Sequence, residues 1–329
     1  MTAREKSFTR FLKSRGFTWF LILAAAAASR LALLRFNTPP TPGGSGLWAV
    51  SPDVWIHSPS ISWGVCLLCC CVIGFLMVLL NRAYNLLRTV SVAFVGYFMV
   101  MQAATPYALT GFDGGELLAI VVLCSMMLLF SIFMEPDSTR RVFLVFFLLA
   151  AGAVAEYGFA AYIPVFILGC YQMRVITLRT MLSALVGILT PVWILWGFGL
   201  IRPVAINLPA APRLDLLFSR PEAMPLTASV ITTLLAGLYF GCANLIKVLA
   251  FNAKSRAFNG LLCAVGVATG LLCIIDFTNI AFYVTLLNAI TAMQAGLYMR
   301  LYATRRGYLA LIIMLVAYLG CYIFSFLWA

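Results

Sequence analysis

The side chains of this sequence that could do chemistry are few and widely spaced. Asp53 and His57 stand four residues apart in Ser-Pro-Asp53-Val-Trp55-Ile-His57-Ser-Pro, so on a short helix the carboxylate and the imidazole meet on one face. Such a pair suits a general base with its orienting partner, and His57 is the sole histidine of the chain. Asp113 and Glu116 flank two glycines in Thr110-Gly-Phe-Asp113-Gly-Gly-Glu116. There they cap a helix starting at the turn and complement its dipole, or they line a substrate site. Glu156 is a lone acid near the middle of an apolar run, where an ionisable group ordinarily has a partner or a function. Arg30, with Arg35 beyond it, lies near the end of the first apolar segment. Snorkelling accounts for both; holding an anionic lipid or pyrophosphate group is the sharper alternative.

The elements that must position these groups follow from composition. With 64% hydrophobic and 10% charged residues in 329, and a mean hydropathy of +1.03, the chain is expected to be an all-α, polytopic integral membrane protein. A basic N-terminus, 1–16, is expected in the cytoplasm. An N-terminal membrane module of about seven spans covers 17–201 and includes an outer loop at 37–60. A second outer loop, 202–225, leads to a four-span module at 226–329. The basic N-terminus and the alanine-rich stretch after Phe17 have the layout of a signal peptide, but apolar sequence continues to Leu34, as an uncleaved first helix requires.

The run from Val142 to Met173 decides the topology. As one helix it would be about 48 Å long, against a hydrocarbon core of about 30 Å. If it folds back near Glu156, there are eleven spans, and 17 of the 22 lysines and arginines fall inside. Four then lie outside, and Arg30 sits within the first span. A single helix would instead give 12 inside and 9 outside, so the positive-inside bias favours a short helical hairpin. Each arm would then be only about 22 Å long and would need shelter from neighbouring helices. The N-terminus is expected inside, the C-terminus outside, in a bacterial inner membrane. Asp53, Asp113, Glu116, Glu156, Asp215, Glu222 and Asp276 all face outward in this arrangement, whereas Glu5, Glu135 and Asp137 face inward.

Several classes are disfavoured. The ten cysteines fall inside apolar runs as small buried hydrophobes. Cys66-x-x-Cys69 lacks the further ligands that a metal site needs, and no metal is expected. There is no Walker loop, dinucleotide fingerprint, nucleophile elbow or zinc-protease signature, and no cofactor can be named. The bases are spread thinly over short linkers, against a nucleic-acid partner. Membrane lipids are the expected partners, with a lipid-linked anionic substrate as the further alternative that Arg30 and Arg35 raise. Asn288, Thr285 and Gln294 place polar groups in the tenth span, where hydrogen bonding between helices is expected.

The layout from Asn81-Arg82 through Thr105-Pro106, Asp113, the Arg140-Arg141 linker, the hairpin around Glu156 and on to Arg174 and Pro191 resembles a set of uncharacterised multi-pass inner-membrane proteins of Bacteroidota. More loosely it resembles the membrane half of the polyprenyl-phosphate-dependent glycosyltransferases of the C superfamily. The resemblance covers about residues 17 to 200, and only Asp53 matches the first-loop catalytic acid of those enzymes. There is no Asp-x-Asp or Asp-Glu pair, and no large soluble outer domain follows. What the resemblance implies is a glycosyltransferase-like component of envelope glycan or lipid assembly acting at the outer face. Asp53 would be the base, Arg30 and Arg35 would hold the lipid phosphate, and Asp113, Glu116 and Glu156 would line the acceptor side. A transporter or flippase, and a non-catalytic scaffold, are the alternatives.

Overall fold

The computed structural model describes residues 11, 14–35, 52, 55–56, 58–87, 91–199, 223–302 and 304–328, with Arg35, Ala223, Arg305 and Arg306 described in backbone only. Asp53 and His57, most of the 37–60 loop and nearly all of the 202–225 loop lie outside the described residues.

Eleven α-helices, and no strand, make up the described residues: α1 (Arg15–Arg35), α2 (Pro59–Tyr84), α3 (Ala93–Ala104), α4 (Gly114–Phe130), α5 (Thr139–Ala155), α6 (Ile163–Gln172), α7 (Leu178–Gly197), α8 (Ala223–Val248), α9 (Ala253–Ile275), α10 (Ile280–Leu301) and α11 (Arg305–Trp328). Short 3-10 turns at Tyr157–Tyr162 and Phe277–Asn279 join α5 to α6 and α9 to α10. Seven helices are long and apolar enough to cross a membrane: α1, α2, α7, α8, α9, α10 and α11. The other four, at 12, 17, 17 and 10 residues, are shorter, so a count of eleven full spans is not established.

Local sequence explains the boundaries. Pro59 sits in the first turn of α2, where its missing N–H is harmless, and Asn85 in left-handed conformation (φ 50°) ends the helix. The uncharged segment that contains α3 continues to Leu109, where the sequence alone puts the end of the third span, but the helix stops at Ala104. Thr105 precedes Pro106 and is extended (φ −88°, ψ 117°), because the proline ring disfavours helical backbone in the residue before it. Of the other prolines, Pro164 falls in the first turn of α6 and Pro191 stays inside α7.

The run from Val142 to Met173 does fold back. α5 ends at Ala155, α6 returns, and Met134 N donates to Met173 O at 3.0 Å, so the run finishes beside its start. One end of the bundle thus carries Asp113, Glu156 and Asp276, the acidic end; the other carries Arg82, Arg141, Arg174 and Lys247, the basic end. At the basic end Arg141 pairs with Glu135 at 3.3 Å and also donates to Ser131 O.

α10 is the axis. It has the lowest mean hydropathy of the seven long helices, 1.5, yet 89% of its most apolar window is buried, against 22–44% in the others. A helix this polar can occupy the centre only if protein, not lipid, faces its polar groups. α3, α4, α8 and α9 pack around it. α7 instead lies on the outside against α5, with Leu182, Leu189, Trp193 and Trp196 exposed in the manner of lipid-facing side chains. Gly187 sets the α5–α7 separation: a Cβ there would stand 2.6 Å from Phe143 O, a backbone atom that cannot swing away.

Gly187→Ala is therefore expected to lower thermal stability in detergent by about 1–3 kcal/mol, the usual penalty of overpacking. Gly64→Ala, whose Cβ meets nothing within 4 Å, should leave the unfolding temperature unchanged or raise it slightly.

Candidate functional site

Four carboxylic acids are buried at the acidic end, and each reaches its place by a break in a helix. Beyond Ala104 the chain runs without α-helix to Asp113, although part of this stretch lies below the end of α2. Its polar groups are satisfied by α2: Phe112 N donates to Ser62 Oγ at 2.7 Å, and Cys66 Sγ to Ala108 O at 3.5 Å. Irregular backbone at such a depth persists only where protein covers it or water reaches it.

α4 then starts under a capping box. Asp113 Oδ1 accepts from Gly115 N at 2.7 Å, and Glu116 Oε2 accepts from Asp113 N at 3.0 Å. Glu116 Oε1 also accepts from the Cys66 thiol at 3.1 Å. Asp113 is 8% exposed and Glu116 fully buried, so in this state both carboxylates serve the start of α4. The capping expected of the pair is thereby realised.

The hairpin turn brings in Glu156. Its backbone is extended (φ −147°, ψ 123°), which turns the chain out of α5, and its side chain is 2% exposed. A Cβ on Gly114 would lie 3.5 Å from Glu156 Oε2 and 3.0 Å from the Phe282 ring, and one on Gly115 would lie 2.7 Å from Phe282 O. Only glycines let the first turn of α4 approach both the hairpin and the start of α10. Glu156 consequently sits against a helix N-terminus, where the backbone dipole favours negative charge.

Asp276, at the end of α9 and 4% exposed, is the fourth acid. Its Oδ2 accepts from Tyr157 OH at 2.8 Å, Tyr283 OH at 3.1 Å and Asn279 Nδ2 at 3.1 Å; its Oδ1 accepts from Thr278 Oγ1 at 3.2 Å. Asn279 Nδ2 also donates to Tyr157 OH. The Phe282 ring stands between these groups and α4, packed edge-on against Phe159 at 5.6 Å. Asp113, Glu116 and Glu156 thus gather at the start of α4, and Asp276 gathers its tyrosines at the α9–α10 turn.

Below the acids lies a polar chain. Asn288 Nδ2 donates to Gln102 Oε1 at 2.7 Å and to Thr105 Oγ1 at 3.3 Å, and Asn288 Oδ1 accepts from Thr233 Oγ1 at 3.0 Å. Gln102 Nε2 donates to Thr285 Oγ1 and Tyr318 OH to Thr233 Oγ1, so four helices share one network. Asn288, Thr285 and Gln294 all make bonds between helices, Gln294 through Asn244 and Cys263.

Arg30 is exposed, with its guanidinium 5.1 Å from the Trp63 ring centroid, and Trp63 Nε1 donates to Ser29 Oγ at 3.2 Å. Ser62, the neighbour of Trp63, holds Phe112, so Arg30 flanks the acid cluster by way of α2. The Arg35 side chain and the Asp53–His57 pair are not among the described residues. Of the sequence-derived candidates, Asp113, Glu116 and Glu156 are brought together, and Arg30 stands to one side. Asp276 is one of the outward acids of the sequence, but nothing in its sequence context assigns it, Tyr157, Asn279 or Tyr283 to a site. The one sequence signal for them is the polar Asp276-Phe-Thr-Asn279 step between two apolar spans. Among the described residues no group of three or more histidine, cysteine, aspartate or glutamate side chains is arranged to hold a metal ion.

No family model, no curated protein and no solved structure matches this chain.

Tyr157→Phe, which removes the bond to Asp276 and the one accepted from Asn279, is expected to cost about 1 kcal/mol in an unfolding titration in detergent, since hydrogen bonds between membrane helices average ~0.6 kcal/mol each. Asp276→Leu, which strips the acceptor from several buried donors at once, should cost about 3 kcal/mol or more in the same unfolding titration.

Proposed function

We propose that this multi-pass membrane protein is a component of cell-envelope glycan or lipid assembly that holds the polar head of a lipid-linked substrate at its acidic end. The observation that carries the reading is the convergence of Glu156 on the first turn of α4, beside Asp113 and Glu116, from a hairpin that is distant in sequence. Carboxylates in a protected site are suited to sugar hydroxyls, which they bind through charge-assisted hydrogen bonds. Arg30, exposed on the flank over Trp63, is suited to the phosphate of the lipid carrier. If the reaction is glycosyl transfer, Asp53 with His57 is the base, Arg35 supplements Arg30, and Asp113, Glu116 and Glu156 face the acceptor. Because the acids are 8% exposed or less, entry of a head group requires the hairpin turn to move away from α4.

Transport or flipping without covalent chemistry is the second reading. It is favoured by the break of α3 at Thr105–Pro106 and by the Gln102–Asn288–Thr233 network beside it, because discontinuous helices and midplane polar groups recur in transporters.

Complementation separates the readings. In a strain lacking its own copy, Glu156→Gln and Asp113→Asn are expected to leave protein levels normal while sensitivity to detergents and large antibiotics returns to that of the deletion. Arg30→Gln should give a partial defect. Full complementation by all three variants would remove the acidic end from function and leave the scaffold reading. A defect confined to Asn288→Leu, at normal protein level, would favour transport.

A further inference from the structure

The basic end holds a cavity of about 330 Å³ that the acid cluster does not involve. Its walls come from three separate elements. The end of α6 supplies Gln172 and Arg174, the connection between α4 and α5 supplies Phe133, and the first two turns of α9 supply Ala253, Arg256 and Gly260. No acidic side chain lines it. Both arginines are exposed, and neither forms an ion pair among the described residues. The nearby Glu135 is already engaged by Arg141 and Ser138.

The walls are held in place. Arg174 is in left-handed backbone conformation (φ 59°), which a branched or long side chain adopts only under constraint. The constraint is visible: Met134 N donates to Met173 O, Arg174 N to Tyr171 O and Val175 N to Cys170 O. On the facing side Phe258 stacks on Phe130 at 4.3 Å and meets Phe133 edge-on at 6.0 Å, while Lys254 lies over the Phe258 ring. Asn252 caps α9 through Ser255 N, so the positive end of that helix opens at Ala253, in the cavity wall. Gln172 Oε1, beside Gly260, accepts no hydrogen bond and is itself shielded from solvent.

We propose that this cavity binds the phosphodiester head group of an anionic phospholipid. Two guanidinium groups from separate elements and a helix N-terminus supply the charge and donors for a phosphate. The cavity, open to solvent on one side, lies near the lower bound of the ~300–1,000 Å³ usual for ligand sites, which is enough for a head group. The route for the acyl chains is also present: Leu168, one turn back on the Gln172 face of α6, is 47% exposed, and Tyr171 is 70% exposed. The same phosphate chemistry could be offered by a soluble phosphate ester, which lacks any use for that apolar strip.

Binding of dioctanoyl phosphatidylglycerol to the delipidated, full-length protein in neutral detergent tests the proposal, followed by thermal shift and by native mass spectrometry. One or two lipids should bind tightly, and Arg174→Gln and Arg256→Gln should each weaken binding about tenfold. Arg179→Gln, a control at the same end but outside the cavity, should not. Gly260→Ala should weaken binding without a change of charge, because its Cβ would lie 3.1 Å from Gln172 Oε1 and narrow the cavity. Dioctanoyl phosphatidylcholine should bind at least tenfold more weakly. Competition by glycerol 1-phosphate or inorganic phosphate at micromolar concentration would reassign the site to a soluble phosphate ester and overturn the lipid. Equal losses in Arg179→Gln, or none in Arg174→Gln and Arg256→Gln, would reduce the effect to general surface charge and overturn the site.

Discussion

Asn288 is the side chain on which this bundle turns. Buried in the middle of α10, it gives both amide protons' worth of bonding to Gln102 and Thr105 of the α3 segment and accepts from Thr233 of α8. Between lipid-facing helices there is no hydrophobic force to fix partners, since lipid is as apolar as leucine. Position must come from close packing and from polar groups with nowhere else to go. The network does this for α3, α8, α10 and α11 together, and α10 can be the most buried long helix although its mean hydropathy is the lowest.

With α10 fixed, the rest of the acidic end follows. Phe282, near its start, is the surface against which Gly114, Gly115 and Gly158 are packed too closely for a side chain. These contacts bring the start of α4, the hairpin turn and the α9–α10 turn to one level. Three interrupted helices meet there, and each interruption leaves backbone groups that need partners. Asp113 and Glu116 satisfy those of α4, and Asp276 gathers Tyr157, Asn279 and Tyr283. Acid is thus concentrated where helices stop, which makes the same residues responsible for shape and available for chemistry.

Much of the helical plan was legible because hydropathy and basic residues carry it. The fold-back around Glu156 follows from the length of the run and the placement of lysines and arginines, and the Met134–Met173 bond agrees with it. The turn at Asp113 was legible too, since glycines between two acids are a helix-start signal. Helix lengths were less so: α3 ends at Ala104 because of Pro106, although no charged residue interrupts the sequence before Asp113. The site was only partly legible. Glu156 announces itself as an acid in an apolar run, whereas its proximity to Gly114 depends on a tertiary contact that no spacing encodes. Asp276 was hidden for the same reason, and the Asp53–His57 pair, the most suggestive in sequence, lies outside the described residues.

The brevity of α6 has a consequence for how the protein is made. Ten residues rise only about 15 Å, half of a hydrocarbon core of about 30 Å, so this arm cannot be released into lipid as a segment in its own right. Its close packing, through Gly169 against Leu129 and Leu261, is with α4 before it and α9 well after it. α9 begins some eighty residues after α6 ends, so on a chain made from its N-terminus this side of the arm is covered last.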